Sequence, residues 1–271
     1  MPQVLAVLDT LTEKIPDLFD KAALAARDME RTPYVSVALQ ECAAMNRLVT
    51  AISRDLAELR LGLKGDLTMS SAMDALARDL YLNVVPSKWL HLSGPSLKRL
   101  GEWFDELYAR SRELDAWVAN SFEPPASAWI SALFNPQSFL TAVLQTAARK
   151  NGWPLDRMAM DCEVTRKTAA EITSAPREGA YVHGFFLEGA RWDPISLSIQ
   201  PSNFKELHCA MPVVLLKPVT NDKLETLDKY ECPVYGTRAR SRTYVCTLHL
   251  RTERPPQHWI LAAVAMLLSS A

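Results

Sequence analysis

Apolar positions in the first half of the chain recur every three or four residues, and in the second half every two. Val4, Leu5, Leu8 and Leu11 predict a short amphipathic helix that ends before Pro16, and a second helical piece is expected over residues 17–30. The clearest helix opens at Pro33, with Thr32 placed to cap it and proline suited to the first helical position. Val35, Leu39, Cys42, Ala43, Met45, Leu48, Val49, Ile52, Leu56 and Leu59 then keep helical spacing, and Gly62 is expected as its left-handed end residue. About 29 residues at 1.5 Å each make a rod of roughly 43 Å. Further helices are expected over 68–81, as a single turn at 86–89, over 96–119 with Leu97, Leu100, Trp103, Phe104, Leu107, Leu114 and Trp117 inward, and over 127–134. Asn135-Pro136 repeats the cap-then-proline device, and Asn151-Gly152 closes the helix it opens.

From Trp153 the rhythm changes to alternation. Strands are expected over 158–165, 179–189, 211–219, 230–237, 243–250 and 260–268. In the second of these, Tyr181, His183, Phe185 and Leu187 share one expected face, and Val182, Gly184 and Phe186 the other. Gly179 and Gly189 bracket it as turn residues, and Gly184 inside it suggests a bulge or a close neighbour. The expected architecture is α+β: a helical subdomain over 33–152 with one very long helix, then an antiparallel β-barrel or sandwich of about six strands over 153–271.

Composition narrows the function classes. The net charge of −1 supplies no global field toward nucleic acid or acidic lipid. The longest apolar run, residues 259–268, is far short of the ~20 residues a membrane helix needs. Five cysteines without a CxxC pair, and an amphipathic start carrying Asp9, Glu13 and Lys14, read as reduced thiols in an intracellular protein. No GxxxxGK[ST] phosphate loop occurs; Gly62-Leu63-Lys64-Gly65 follows a helix rather than opening one. Cys246 and His249 fall on opposite faces of a strand, as do His208 and Cys209, so no metal or cofactor site is read. His183 reads as a core histidine. Arg238, Arg240 and Arg242 cluster at a hairpin tip and read as solvated charges or as a contact for an acidic partner surface.

Several blocks carry a resemblance. The stretch from Gly179 to Asp193, Arg31-Thr32-Pro33-Tyr34, Leu39 to Asn46, Leu61 to Gly65, Phe134 to Thr141, Ala148 to Asp156 and Tyr230 to Tyr235 resemble, in order, the C-terminal region of dynein heavy chains, most of all the axonemal outer-arm β-type. The resemblance implies a helical part lying on an ATPase ring, followed by a β-barrel, with no active site of its own. It also implies that residues 1–32 are the tail of the preceding ATPase module. The implied partners are the upstream ring of the same heavy chain and other dynein subunits, with the microtubule reached only through the parent motor, in the axoneme of a cilium or flagellum. Arg240-Ser241-Arg242 departs from the resemblance, because a glycine is expected at that tip. The rival readings are a stand-alone small-molecule enzyme using His183 or a cysteine, and a free adaptor docking through Arg238, Arg240 and Arg242.

Overall fold

Thr32 accepts the Val35 N–H on its hydroxyl at 3.2 Å and so opens the longest helix, in a computed structural model that describes residues 2–27 and 31–268. Among these residues the fold is α+β, with eight α-helices and eleven strands. It divides into two compact units, residues 2–27 with 38–119 and residues 31–37 with 120–268. The first unit holds α1 (Pro2–Glu13), α2 (Lys21–Arg27), α3 (Pro33–Lys64) from residue 38 onward, α4 (Ser71–Tyr81), α5 (Ser87–Ser93) and α6 (Leu100–Val118). The expected end of the second helix at Glu30 lies outside the described residues.

The α3 stripe is covered throughout: Leu39 and Ala43 are half-buried and the other eight positions are buried. The helix runs past the expected stop. Gly62 sits inside it, where a side chain would meet the Met69 sulfur, and Gly65, at φ +85°, takes the left-handed position instead. Asn46 on this helix holds the segment after Pro16 by pairing its side-chain amide with both the N–H and the C=O of Phe19, at 2.9 and 2.8 Å. Trp89 is buried, stacks on Trp103, and donates its indole N–H to Asp55 at 3.0 Å.

α6 begins at Leu100, later than expected, because the Ser96 hydroxyl accepts the Lys98 N–H and folds residues 96–98 into a turn. Asn83 then caps the helix from outside, taking the Leu100 N–H on its carbonyl and the Gly101 N–H on its side chain, both at 3.1 Å. Leu97 is left out in solvent.

The second unit builds its strands against α7 (Pro136–Asn151), capped by the Asn135 side chain and closed by Gly152 at φ +66° as expected. The strands are β1 (Ala128–Trp129), β2 (Met158–Val164), β3 (Ala180–His183), β4 (Phe186–Glu188), β5 (Ala190–Asp193), β6 (Ser198–Pro201), β7 (His208–Ala210), β8 (Val214–Thr220), β9 (Lys229–Tyr235), β10 (Tyr244–Arg251) and β11 (Ala265–Leu267). They form a four-stranded sheet in the order β1-β3-β8-β2, a five-stranded sheet β10-β9-β11-β4-β7, and the β5-β6 pair. The β9–β10 hairpin forms in antiparallel register with a bulge near Tyr244.

The expectation of an antiparallel β-barrel or sandwich of about six strands is corrected in strand direction and number. The sheets are mixed, since β1 runs parallel to β3 and β11 parallel to β9, and no sheet closes on itself among the described residues. Three of the strands, β3, β4 and β5, come from splitting the 179–193 stretch, while β1, β6 and β7 lie outside every expected strand. Gly184, at φ +95°, bends there because a side chain would meet Trp129 and Ser131 within 3 Å. The bend shifts the alternation: Ala180 and Val182 are buried before it, Phe185 and Leu187 after it. β3, β4 and β5 therefore enter three different sheets.

Two further expectations change. Residues 127–134 form β1 and a 3-10 turn rather than a helix. Residues 260–268 are not one strand: Pro255-Pro256 opens the short helix α8 (Pro256–Leu261), the backbone turns at Ala263, φ +51°, and only 265–267 pair as a strand.

Candidate functional site

His183 ends β3 half-buried. Its ring stacks on Trp129 with centroids 6.4 Å apart, and its Nδ1 shares a 2.9 Å hydrogen bond with the Ser127 hydroxyl. A serine beside a histidine is the start of a nucleophilic pair, but among the described residues no carboxylate bonds the ring to orient it as a base. Burial lowers the His183 pKa, so the fold holds a neutral ring. Above about pH 6.5 both folded and unfolded forms are neutral there. Below it the unfolded chain takes up a proton that the fold refuses, so stability falls with falling pH. His183→Gln should remove that part of the acid destabilisation, read from melting temperatures across pH 5–8.

The thiols offer no better nucleophile. Cys42, Cys162 and Cys246 are pushed up to about 12 by burial, and Cys232 further. Cys162 on β2 gives its S–H to the His249 carbonyl at 3.3 Å, not to the ring, so the neighbouring imidazole is not placed to deprotonate it. Among the described residues no three His, Cys, Asp or Glu side chains gather as a metal site, and no helix is long and apolar enough to cross a membrane.

The hairpin tip is built rather than merely solvated. Arg238 Nε donates to Glu188 at 3.0 Å and Arg240 Nη2 to its other oxygen at 2.7 Å. Arg240 also donates to the Ala263 carbonyl at 2.8 Å. Burial alone would raise the Glu188 carboxyl, but hydrogen bonds and charge from Arg240 and Arg238 hold it below the usual carboxylate range. Arg242 is exposed and makes no ion pair among the described residues. So two of the three arginines meet, and the third stands apart. Arg240 occupies φ +52°, ψ −120°, backbone that glycine prefers, which explains the missing glycine: the position is strained because its side chain is needed. Arg240→Ala should cost about 1–3 kcal/mol by losing charged hydrogen bonds while keeping the strain. Arg240→Gly should recover about 1 kcal/mol of that in denaturant titrations.

The order of matching blocks along this frame decides the family. The pattern of the C-terminal domain of the dynein heavy chain fits residues 2–268. The protein belongs to this family of dynein C-terminal domains. It is 48% identical over 266 residues to dynein axonemal heavy chain 17 of Homo sapiens, 46% over 266 residues to the ciliary dynein beta chain of Tripneustes gratilla, and 45% over 265 residues to the flagellar outer arm dynein beta chain of Chlamydomonas reinhardtii. These matches cover 98%, 98% and 97% of the 271 residues, which span 6% of the length of each relative.

On this dynein C-terminal domain, spacing alone missed two surface features. Glu188 lay unnoticed within the 179–189 stretch, although three arginines without a nearby acid in sequence were a signal to look for one. Tyr81, Leu82, Val84 and Leu97 are all about half exposed or more, and Asn83, bonded to residues 100 and 101, brings the two segments together. The sequence had placed Leu97 inside a helix.

Proposed function

We propose that this protein is a non-catalytic structural and regulatory domain of an axonemal dynein heavy chain, packing on the ATPase ring of a microtubule motor and biasing its cycle through contacts that differ between nucleotide states. The observation that carries this is the family match over residues 2–268 together with relatives named axonemal, ciliary and flagellar. It acts in the axoneme, reaches the microtubule only through the parent motor, and has the upstream ring and other dynein subunits as partners. Residues 1–32 belong to the tail of the preceding module. Tyr81, Leu82, Val84 and Leu97 supply an apolar docking face, and Arg238, Arg240 and Arg242 a basic one, in which Arg242 makes no ion pair among the described residues. β2 and β10, each at the edge of its sheet, meet where the Cys162 thiol bonds the His249 carbonyl, and we take this seam as the join of a barrel.

The test has two arms. The isolated domain should hydrolyse no ATP, and its turnover of ATP or another substrate would sink the reading. In the full heavy chain, Leu82→Asp with Leu97→Asp should change velocity or stall force in microtubule gliding while the nucleotide sites stay intact. Motility unchanged by both this pair and complete removal of the domain would overturn the proposed role.

A further inference from the structure

The second unit contains a cleft of about 930 Å³ that ring docking does not use and whose Cys162 and His249 are not arranged as a nucleophile and base. It opens between β2, β10 and the loop before β9. Val164, Leu197, Leu250 and the face of Trp192 give it an apolar lining. Trp192 is only 6% exposed, yet among the described residues its indole N–H has no acceptor, and the His249 Nδ1 in the same wall has no partner either. A buried polar group left unpaired costs about 1–3 kcal/mol, so the wall of the cleft carries two strained positions close behind its lining.

The charges of the cleft choose the occupant. Asp161 and Lys229 neutralise each other at 2.8 Å, and Lys217 pairs with Glu163. Glu225 and Asp228 at the rim make no ion pair among the described residues, and of the rim cations only Arg251 stands against them. The surplus is negative, which disfavours a phosphate or carboxylate ligand. The outer edge of β10 is occupied. Gln137 covers its Tyr244 and Val245 carbonyls at 3.2 and 3.3 Å, and Cys162 covers that of His249. Beyond His249 this edge is bridged by Ile199 at Thr252, so an occupant of the cleft is held by side chains and not by main-chain pairing with β10.

We propose that this cleft binds a short extended peptide segment of a partner protein carrying alternating apolar and basic residues. Its apolar side chain lies against Trp192 and Leu250, and its Lys or Arg meets Glu225 and Asp228. This does not rest on the ring-docking role and can fail without it.

The test uses the full 271-residue protein and end-blocked hexapeptides of alternating leucine and lysine. The Trp192 indole N–H resonance, assigned with Trp192→Phe, should move saturably on titration. A hexapeptide with glutamate in place of lysine should bind at least about tenfold more weakly, and Glu225→Lys with Asp228→Lys should reverse that order. The double variant lies on an exposed loop, so it tests the idea even if Trp192→Phe does not fold. An indole resonance that responds to neither peptide, meaning that water alone occupies the cleft, overturns the proposal. So does equal affinity for the two peptides.

Discussion

Replacing Arg110 with Met should destabilise the first unit by about 3–5 kcal/mol. Arg110 on α6 is 9% exposed, and Glu41 on α3 is 2% exposed. Burial pulls the Arg110 guanidinium down from its ordinary pKa, while the carboxylates of Glu106 and Glu41 act to raise it. Glu106 has a second cation in Lys98, while Arg110→Met removes from the buried interior the positive charge on which Glu41 acts. Glu41→Gln should cost less, about 1–3 kcal/mol, because Arg110 keeps Glu106. The double variant Glu41→Leu with Arg110→Met should recover most of the loss, since neither charge is then buried alone. Urea unfolding followed by far-ultraviolet circular dichroism, which weights the helical unit, reads all three. Equal costs for the two single changes would refute this asymmetry.

Truncating Trp259 to Ala should cost about 3–5 kcal/mol in the second unit. The residue is 1% exposed, and its indole N–H bonds the Thr252 hydroxyl at 2.7 Å. It is the buried residue of α8, whose next two positions, Ile260 and Leu261, point outward, the latter 88% exposed. Without it nothing apolar on that helix faces the interior, and β11, which follows closely and is hydrogen-bonded to both β4 and β9, loses its approach. Trp259→Phe should cost about 1 kcal/mol, chiefly the lost hydrogen bond to Thr252. Leu261→Ala should change stability by no more than about 0.5 kcal/mol. Thermal melting of the three variants gives the ranking, and a Leu261 effect as large as the Trp259 effect would show that the exposed positions are the anchoring ones.

The helical half was legible because its signals are local. Thr32 and Asn135 cap the backbone within three residues of themselves, and Gly152 adopts its positive φ without distant help. The break inside 179–189 was half legible: a glycine within a strand pattern signals a close neighbour, but not that Trp129 and Ser131 are that neighbour. The last apolar run misled, because it has no period to read, and Pro255-Pro256 favours a helix start over a strand. Of the candidate contact residues, spacing brought Arg238 and Arg240 together. It could not show Glu188, 50 and 52 positions away, drawing both into ion pairs and leaving Arg242 exposed.

What the sequence determined by itself is the long helix α3 with its apolar stripe, the capped helix α7, the change from helix to strand after Gly152, and the family, since the matching blocks lie in order along nearly the whole length. Beyond the β9–β10 hairpin, only the tertiary structure decided which strands pair. Three consecutive segments joined by glycines at φ +95° and +79° carry nothing in their own pattern that assigns them to three sheets. That choice belongs to partners far away in sequence, because main-chain hydrogen bonding is indifferent to side-chain identity, and only the burial of side chains against distant neighbours tells one edge from another.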